Sequence, residues 1–214
     1  MTKERVDVLA YNQGLFDTRE QAKRGVMAGI VINALNGERF DKPGEKISDD
    51  LELMIKGEKL PFVSRGGLKL ARALQAFDIS VLDQTAIDIG SSTGGFTDVM
   101  LQNGAKLVYA VDVGTNQLAW EIRKDDRVVV MEQFNFRYAK PEDFSHDLPT
   151  FASIDVSFIS LALILPALYD ILLEGGQVVA LIKPQFEAGR GQIGKNGIIK
   201  DAEIHQAVIE AVVS

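Results

Sequence analysis

Three charged residues of this 214-residue chain have side chains that could accept a proton or stabilise a charge during a reaction: Lys69, Asp155 and Lys183. Asp155 and Lys183 each stand at the end of an apolar segment, and Lys69 stands in a helical pattern that precedes the first of these segments. A lysine can act as a base only where a partly buried, cation-rich site lowers its pKa. Singly, each residue fits an ordinary surface ion pair. Together they form a candidate catalytic set that could take a proton from a hydroxyl group.

A glycine-rich segment, residues 88–96 with the sequence DIGSSTGGF, follows an apolar stretch and precedes a helical pattern. Small residues there let the backbone approach a ligand closely, and the start of a helix offers unpaired N–H groups. Gly90 and Gly94 lack the G-x-G-x-x-G spacing of the dinucleotide fingerprint. A tight structural turn is the alternative interpretation. The candidate ligand-binding residues of the segment are Asp88, Gly90, Ser91, Gly94, Gly95 and Phe96.

Polar residues in and after this segment indicate which ligand it would hold. Asp88, before the first glycine, suits the ammonium group of an amino-acid ligand, directly or through water, better than it suits a pyrophosphate. Asp112 ends the next predicted strand, where a carboxylate can accept hydrogen bonds from both ribose hydroxyls of an adenosine. Asn135, at the third predicted strand, is placed to contact the adenine edge. These features together predict S-adenosylmethionine as the cofactor.

From Ser64 onward, apolar strands alternate with amphipathic helices, which is the pattern of a parallel sheet covered on both faces. We predict an α/β fold, a Rossmann-like methyltransferase domain with a mainly parallel sheet, in which ligands bind at the carboxyl ends of the strands. The predicted strands are Thr85–Ile89, Leu107–Asp112, Val128–Met131, Ser153–Val156 and Gln177–Ile182. The predicted helices are Leu68–Phe77, Gly95–Asn103, Asn116–Lys124, Leu161–Leu173 and Ala202–Val213.

The first part of the chain has a different pattern, with two short helices followed by short strands. The first predicted helix is Val6–Asn12; the second starts at Thr18, in a Thr-x-x-Gln capping-box sequence, and stops at Gly29. Over about residues 3–57 this arrangement resembles the alpha-L RNA-binding module, a small α+β domain. The resemblance implies RNA contacts on the second helix, although a solvated helix face is the alternative. The candidate contacts are Arg19, Lys23 and Arg24, and the predicted domains are residues 1–60 for RNA binding and residues 61–214 for methyl transfer.

The charge of the chain limits how it could contact nucleic acid. With 23 Lys and Arg residues against 30 Asp and Glu residues, the net charge is −7, so RNA contacts require local basic faces. Residues 189–197 form a glycine-rich, basic segment that either meets RNA phosphates or serves as a flexible connector. Phe186 could shape the entry for a splayed nucleotide, and Phe158 either does the same or belongs to the core, which is the assignment that we favour. The candidate phosphate contacts are Arg190, Lys195 and the nearby Lys200.

The residue types present exclude several other kinds of site. The chain has no cysteine, which excludes thiolate metal sites and cysteine nucleophiles. Its two histidines, His146 and His205, are far apart in sequence, so no metal site is predicted. The longest apolar run, Phe158–Leu173, is interrupted by Pro166 and Asp170 and is too short for a membrane span. With no secretory signal visible either, we expect a soluble cytoplasmic protein without a membrane partner.

Motifs from residue 64 onward together resemble the TlyA family, also labelled hemolysin A. Members of that family are ribosomal-RNA ribose 2′-O-methyltransferases related to the FtsJ-type enzymes. The resemblance covers essentially the whole chain, and it implies methyl transfer from S-adenosylmethionine to a ribose 2′-hydroxyl, with ribosomal RNA or ribosomal subunits as partners. The motifs are SRGGLK at 64–69, DIGSSTGGF at 88–96, VDVG at 111–114, QLAW at 117–120, DVSFIS at 155–160 and KPQFE at 183–187.

The family also implies a catalytic tetrad of Lys, Asp, Lys and Glu. By motif, the first three members match Lys69, Asp155 and Lys183. The fourth, a glutamate on a late strand, has no counterpart, because Glu187 and Glu203 lie in the right region but do not match the family position. The family's sheet continues with two further strands after the last predicted helix, and we expect these strands to be missing from this chain.

Three other functions stay open beside ribose methylation. A methyltransferase for a base nitrogen or a small molecule would use a clamp such as Asn-Pro-Pro-Tyr, where this chain has the sequence DVSF at 155–158. A membrane-active hemolysin would need a long apolar span or a cationic amphipathic helix. A protein that binds RNA and cofactor without turnover is the third, because the fourth tetrad residue is missing.

Overall fold

The computed structural model of the chain describes residues 2–57, 61–188, 199 and 201–213. The candidate phosphate contacts Arg190, Lys195 and Lys200 lie outside the described residues. The chain divides into two compact units, Met1–Lys69 and Leu70–Ser214.

The first unit combines two helices with short antiparallel strands. Strand β1 pairs with β4, and β2 lies between β3 and β5. The Oγ1 atom of Thr18 accepts a hydrogen bond from the N–H of Gln21 at 3.2 Å, which confirms the predicted start of the second helix. The helices are α1 (Val6–Asn12) and α2 (Arg19–Met27), and the strands are β1 (Lys3–Arg5), β2 (Val31–Asn33), β3 (Arg39–Phe40), β4 (Lys46–Ser48) and β5 (Leu53–Ile55).

The second unit is built on a five-stranded parallel sheet with the strand order β10-β9-β6-β7-β8, which confirms the predicted α/β fold. The strands are β6 (Thr85–Ile89), β7 (Leu107–Val111), β8 (Val128–Met131), β9 (Phe151–Ile154) and β10 (Gln177–Ala180). The helices are α3 (Gly67–Ala76), whose first residues belong to the first unit, α4 (Gly95–Gln102), α5 (Trp120–Arg123), α6 (Leu165–Ile171), α7 (Pro184–Glu187) and α8 (Ala202–Val213). Short 3₁₀ helices lie at Phe136–Tyr138, Pro141–Asp143 and Leu161–Leu163.

Apolar side chains around the central strand β6 form the core of the second unit. Ile87 and Ile89 of β6 are buried in one cluster with Tyr109 of β7, Ile154 of β9 and Ile171 of α6. Burial of each such side chain stabilises the fold by about 1.5–3 kcal/mol. Every residue of β6 is buried, as expected for a central strand that is covered on both faces.

Strand β9 lies earlier in the chain than predicted, at Phe151–Ile154 rather than Ser153–Val156. Phe151 pairs with Ala86 of β6, and the whole strand is buried. The apolar start of the segment therefore belongs to the sheet, and Asp155 follows the strand instead of lying inside it.

Two predicted helices are shorter in the structure. The predicted helix Asn116–Lys124 is reduced to α5, because Asn116 has a left-handed φ of 54° and Ala119, with a ψ of 141°, is not helical either. The predicted helix Leu161–Leu173 divides into a 3₁₀ turn and α6. Pro166 explains the division, because it has no N–H to donate to the preceding turn and is tolerated only in the first turn of a helix.

Candidate active site

The carboxyl ends of the strands bring distant segments to one edge of the sheet. Ile89 pairs with Val111 of β7 and with Ile154 of β9. The residues that follow these three strands therefore lie side by side at the same edge of the sheet. Backbone hydrogen bonds extend the pairing beyond the strands. The N–H of Asp155 donates to the oxygen of Ile89 at 3.0 Å, and the N–H of Gly90 donates to the oxygen of Val111 at 2.9 Å. The glycine-rich segment therefore lies beside the segment that begins at Asp155.

Two glycines of this segment have left-handed backbone conformations and close neighbours. The φ angles are +87° at Gly90 and +93° at Gly94. A Cβ atom on Gly90 would lie 2.7 Å from the carbonyl oxygen of Asp155, and one on Gly94 would lie 2.8 Å from Cδ1 of Leu118. Glycine at both positions therefore lets the backbone turn and pack against these neighbours before α4, in a segment that we call the glycine cradle. Close approach of a ligand to this backbone stays a prediction. The other candidates of the segment, Ser91, Gly95 and Phe96, are buried.

Asp88 lies inside the protein rather than at its surface. One carboxylate oxygen accepts hydrogen bonds from the N–H and Oγ1 of Thr97 at 2.9 and 2.7 Å, and the other accepts one from Oγ of Ser153 at 3.2 Å. Burial raises the pKa of Asp88 to about 7, and these hydrogen bonds oppose the rise. Because its side chain is fully buried, direct contact with a ligand's ammonium group is not available to Asp88. Contact through water stays a prediction.

Asp112 follows β7 and is half-buried at the same edge of the sheet. Its Oδ2 accepts a hydrogen bond from the N–H of Ser92 at 2.8 Å, and its Oδ1 accepts one from the N–H of Gly114 at 2.7 Å. Each carboxylate oxygen can accept a second hydrogen bond, so Asp112 keeps the capacity to bind two ribose hydroxyls. These acceptors fit an adenosine next to the glycine cradle, and the contact itself stays a prediction.

Glu132, which sequence reasoning missed, organises the loop that follows Asp112. The Arg123 guanidinium, which forms an ion pair with Glu132, lowers the pKa of that carboxyl, and backbone N–H groups of Asn116 and Gln117 lower it further. The one sequence signal for Glu132 was its position directly after a predicted strand. Its partners could be identified only once the order of the strands was known.

Asn135 lies beyond the end of β8 and is exposed. Its Oδ1 accepts a hydrogen bond from the N–H of Arg137 at 3.2 Å and so caps the 3₁₀ helix Phe136–Tyr138. This contact accounts for the local structure, and the predicted contact with an adenine edge stays a prediction.

A short polar contact joins the segments that follow β9 and β10. The Nζ atom of Lys183 lies 2.5 Å from Oδ1 of Asp155 and donates a hydrogen bond to Oγ of Ser157 at 3.0 Å. The two charged side chains are 22% and 19% exposed, so they are shielded from bulk water and still accessible to a substrate. Two of the three predicted catalytic residues are thus in contact. Lys69 lies in α3, at the end of the first unit, and its convergence with them stays a prediction.

An aromatic pair lies beside Lys183. The ring centroids of Phe158 and Phe186 are 5.1 Å apart, and Nζ of Lys183 lies 6.0 Å from the centroid of Phe186. The prediction that Phe158 belongs to the core is wrong, because its side chain is 92% exposed. Its φ of 65° is left-handed, so the chain turns sharply soon after β9 and the side chain leaves the sheet. The pair offers an apolar surface next to the ion pair.

The basic residues predicted to contact RNA lie on α2. Arg24 forms an ion pair with Glu20 at 3.7 Å, and Arg19 lies 3.9 Å from the buried Asp7. Lys23 is exposed. The pair of Arg24 and Glu20 joins two exposed side chains and is therefore weak, so Arg24 could exchange its partner for a phosphate group. RNA binding by α2 stays a prediction.

Membrane-spanning helices and metal clusters are both absent from the part of the chain that the structure describes. Within residues 2–57, 61–188, 199 and 201–213, no helix is both long enough and apolar enough to cross a membrane. In the same described part of the chain, no three His, Cys, Asp or Glu side chains gather as a metal site would require.

Sequence and structure comparisons relate these features to known proteins. The model of the FtsJ-like methyltransferase family matches residues 62–214. YqxC of Bacillus subtilis, provisionally named an rRNA methyltransferase, is 61% identical over 99% of this chain and 75% of its own length. TlyA of Mycobacterium tuberculosis, named a 16S/23S rRNA (cytidine-2′-O)-methyltransferase, is 41% identical over 98% of this chain and 78% of its own length. A solved structure from Streptococcus thermophilus, provisionally named a hemolysin, is 73% identical with a TM-score of 0.73, covering 100% of this chain and 77% of that chain.

Proposed function

The chain belongs to the FtsJ-like methyltransferase family, and from this premise we propose that it methylates ribose 2′-hydroxyls of ribosomal RNA with S-adenosylmethionine as the methyl donor. The names of the two relatives support this substrate, since both refer to rRNA and one to the 2′-oxygen of cytidine. The observation that carries the proposal is the 2.5 Å contact between Lys183 and Asp155. That contact lies beside the glycine cradle, because a Cβ on Gly90 would touch the carbonyl oxygen of Asp155.

The chemistry of the proposed reaction explains these residues. A ribose 2′-hydroxyl is a weak nucleophile and must lose its proton as its oxygen attacks a methyl carbon. S-Adenosylmethionine supplies that carbon on a sulfonium, so an O–C bond forms as the C–S bond breaks. Asp155 and Ser157 orient the amine of Lys183. Because the contact with Asp155 favours the charged ammonium, this amine must first release a proton to solvent, and it then accepts the hydroxyl proton in its neutral form. Lys69 stabilises the developing alkoxide. Base assistance of this kind contributes about 10²–10⁴-fold, and in-line placement of the reacting atoms supplies much of the rest.

The cradle and the adjacent acid would hold the cofactor. The backbone of the glycine cradle would contact the amino-acid part, and the carboxylate of Asp112 would accept hydrogen bonds from the ribose hydroxyls. Asp88 contributes from inside the protein, because its contacts with Thr97 and Ser153 tie the start of α4 to β9. This division of roles is consistent with the half-buried position of Asp112 and the full burial of Asp88.

RNA would be recognised at two places. The exposed ring of Phe158 and its neighbour Phe186 lie close enough to the ion pair to stack on a splayed nucleotide. Residues 1–60 would act as an alpha-L type RNA-binding domain, with Arg19, Lys23 and Arg24 on the contacting helix. Because ribosomes are the proposed substrate, we expect the protein to act in the cytoplasm.

The proposal is tested by incubating the purified protein with purified ribosomal subunits and S-adenosylmethionine labelled with tritium in its methyl group. We expect label in rRNA at a ribose whose 3′ phosphodiester bond resists alkaline hydrolysis. Label on a base nitrogen would identify the other class of methyltransferase. Cofactor binding in calorimetry without any incorporation would identify a binding protein without turnover. Dye release from liposomes, together with no incorporation, would support a membrane-active protein instead.

A further inference from the structure

The short helix α7 is tied at both ends to the segment that follows β9. Lys183 precedes α7 and contacts Asp155, whereas Glu187 is the last residue of α7. The Oε2 atom of Glu187 accepts a hydrogen bond from Oγ of Ser160 at 2.6 Å, and its Oε1 accepts one from the N–H of Leu161 at 2.8 Å. The carboxylate therefore bridges segments that come from two different strands.

The turn that Glu187 holds is itself anchored in the core. Leu161 is buried and belongs to the core cluster around β6. Oγ of Ser160 also accepts a hydrogen bond from the N–H of Ala162 at 3.1 Å, which caps the 3₁₀ helix Leu161–Leu163. Hydrogen bonds to a charged group are about twice as strong as those between neutral groups. Glu187 therefore connects α7, through hydrogen bonds to a charged group, with a turn that is anchored in the core.

We infer that Glu187 is a positioning residue that keeps α7, and with it Lys183, in place while a proton is transferred. The ion pair with Asp155 depends on the charge of Lys183, so the neutral amine that accepts a hydroxyl proton has lost this attraction. The contacts of Glu187 do not involve the proton that Lys183 gains or loses. They therefore persist whether Lys183 is charged or neutral. The inference rests on the proposed function, and it assigns Glu187 a role different from that of the family's fourth tetrad residue.

The test compares Glu187→Ala and Glu187→Gln with the wild type in methylation of ribosomal subunits. We expect Glu187→Ala to lower kcat about 10- to 100-fold, because a displacement of about 1 Å at a reacting group has an effect of this size. The dissociation constant of S-adenosylmethionine should stay within about twofold. Glu187→Gln should recover most of the rate, since its amide can accept from Leu161 and donate to Ser160. Glu203→Ala, which removes an exposed carboxylate near the start of α8, is the matched control and should behave as wild type.

The pH dependence of kcat distinguishes positioning from proton transfer by Glu187. Loss of a group that exchanges a proton in the reaction removes one limb of the pH–rate profile. Loss of a positioning group lowers the profile and leaves its shape unchanged, which is the result that we expect for both variants. A missing limb, an unchanged kcat in Glu187→Ala, or a Glu187→Gln variant as slow as Glu187→Ala would each overturn the inference.

A second variant covers the case in which Glu187→Ala does not fold. Ser160→Ala removes one of the two links and keeps the carboxylate, so we expect a loss of about 2- to 10-fold in kcat, as for one hydrogen bond. A wild-type kcat in this variant would overturn the inference. Absence of methylation by the wild type would overturn the proposed function, so the two failures are distinguishable.

Discussion

Asp88 and Ser153 lie opposite each other in the register of β6 and β9, and Oγ of Ser153 donates a hydrogen bond to the carboxylate of Asp88 at 3.2 Å. The same carboxylate accepts a hydrogen bond from Oγ1 of Thr97, in α4. Because Asp155 follows Ser153 on the same segment, this buried contact links the cofactor side of the candidate site to the side that carries the ion pair.

The first prediction concerns the pH dependence of stability through Asp88. Its pKa is raised by burial to about 7, so the folded state holds this proton more tightly than the unfolded state. The resulting stability is fully present below about pH 4 and is lost as the pH rises to about 7. Relative to Asp88→Asn, the free energy of unfolding of the wild type should fall by up to about 4 kcal/mol across this pH range. Urea unfolding of both proteins at several pH values measures the difference.

Asp88→Asn suits this measurement because it removes the titrating group and keeps the hydrogen-bond partners. The amide oxygen can accept from Thr97, and the amide nitrogen can donate to Ser153. Asp126→Asn, on an exposed side chain, is the control and should track the wild type. A wild type that gains stability over Asp88→Asn as the pH rises would show that the ionised carboxylate is favoured in the fold.

The second prediction separates two reasons for glycine at residue 90, its left-handed φ and its close approach to Asp155. Gly175→Ala introduces strain at a φ of 78° with no atom within 4 Å of the new Cβ, so it should cost about 1–2 kcal/mol. Gly90→Ala has similar strain and also places Cβ 2.7 Å from the oxygen of Asp155, which adds about 1–3 kcal/mol. Unfolding free energies and the affinity for S-adenosylmethionine are the measurements. Equal effects of the two changes on both quantities would mean that the close approach to Asp155 is unimportant.

The third prediction tests the proton-accepting role of Lys183. Lys183→Ala should reduce methyl transfer by about 10²–10⁴-fold, because the hydroxyl loses its base, while calorimetry should show nearly unchanged cofactor affinity. Lys106→Ala, which removes an exposed ion pair with Asp147 near the other end of the sheet, should retain full activity. Wild-type turnover in Lys183→Ala with intact binding would refute the role.

The fourth prediction concerns the exposed ring of Phe158. Phe158→Ala should leave thermal stability and cofactor affinity unchanged, since the side chain is 92% exposed. It should weaken methylation of ribosomal subunits by about 10-fold, because stacking of a base on an aromatic ring contributes about 1–3 kcal/mol. Tyr169→Ala removes another exposed ring, on α6, and should have no effect. If both variants methylate equally well, Phe158 does not contact the substrate.

Local patterns predicted those parts of the fold that depend on neighbouring residues. The bounds of β6, β8 and α8 were predicted correctly, because a mainly apolar run or a helical period is complete within each segment. The helix start at Thr18 was predicted for the same reason, since its side chain caps a residue three positions later. Phe158 was misassigned because an apolar residue next to a strand looks like core unless the left-handed turn is known.

The sequence by itself determined the order of the elements and the strand ends at which polar residues would gather. Only the tertiary structure decided which of those residues face inward and which contact each other. Asp88 is turned to Ser153, Glu132 to the loop after β7, and Glu187 to the turn at Ser160. In a parallel sheet, adjacent strands are joined by crossovers, so the partners of a side chain lie far away in the chain and no local pattern specifies them.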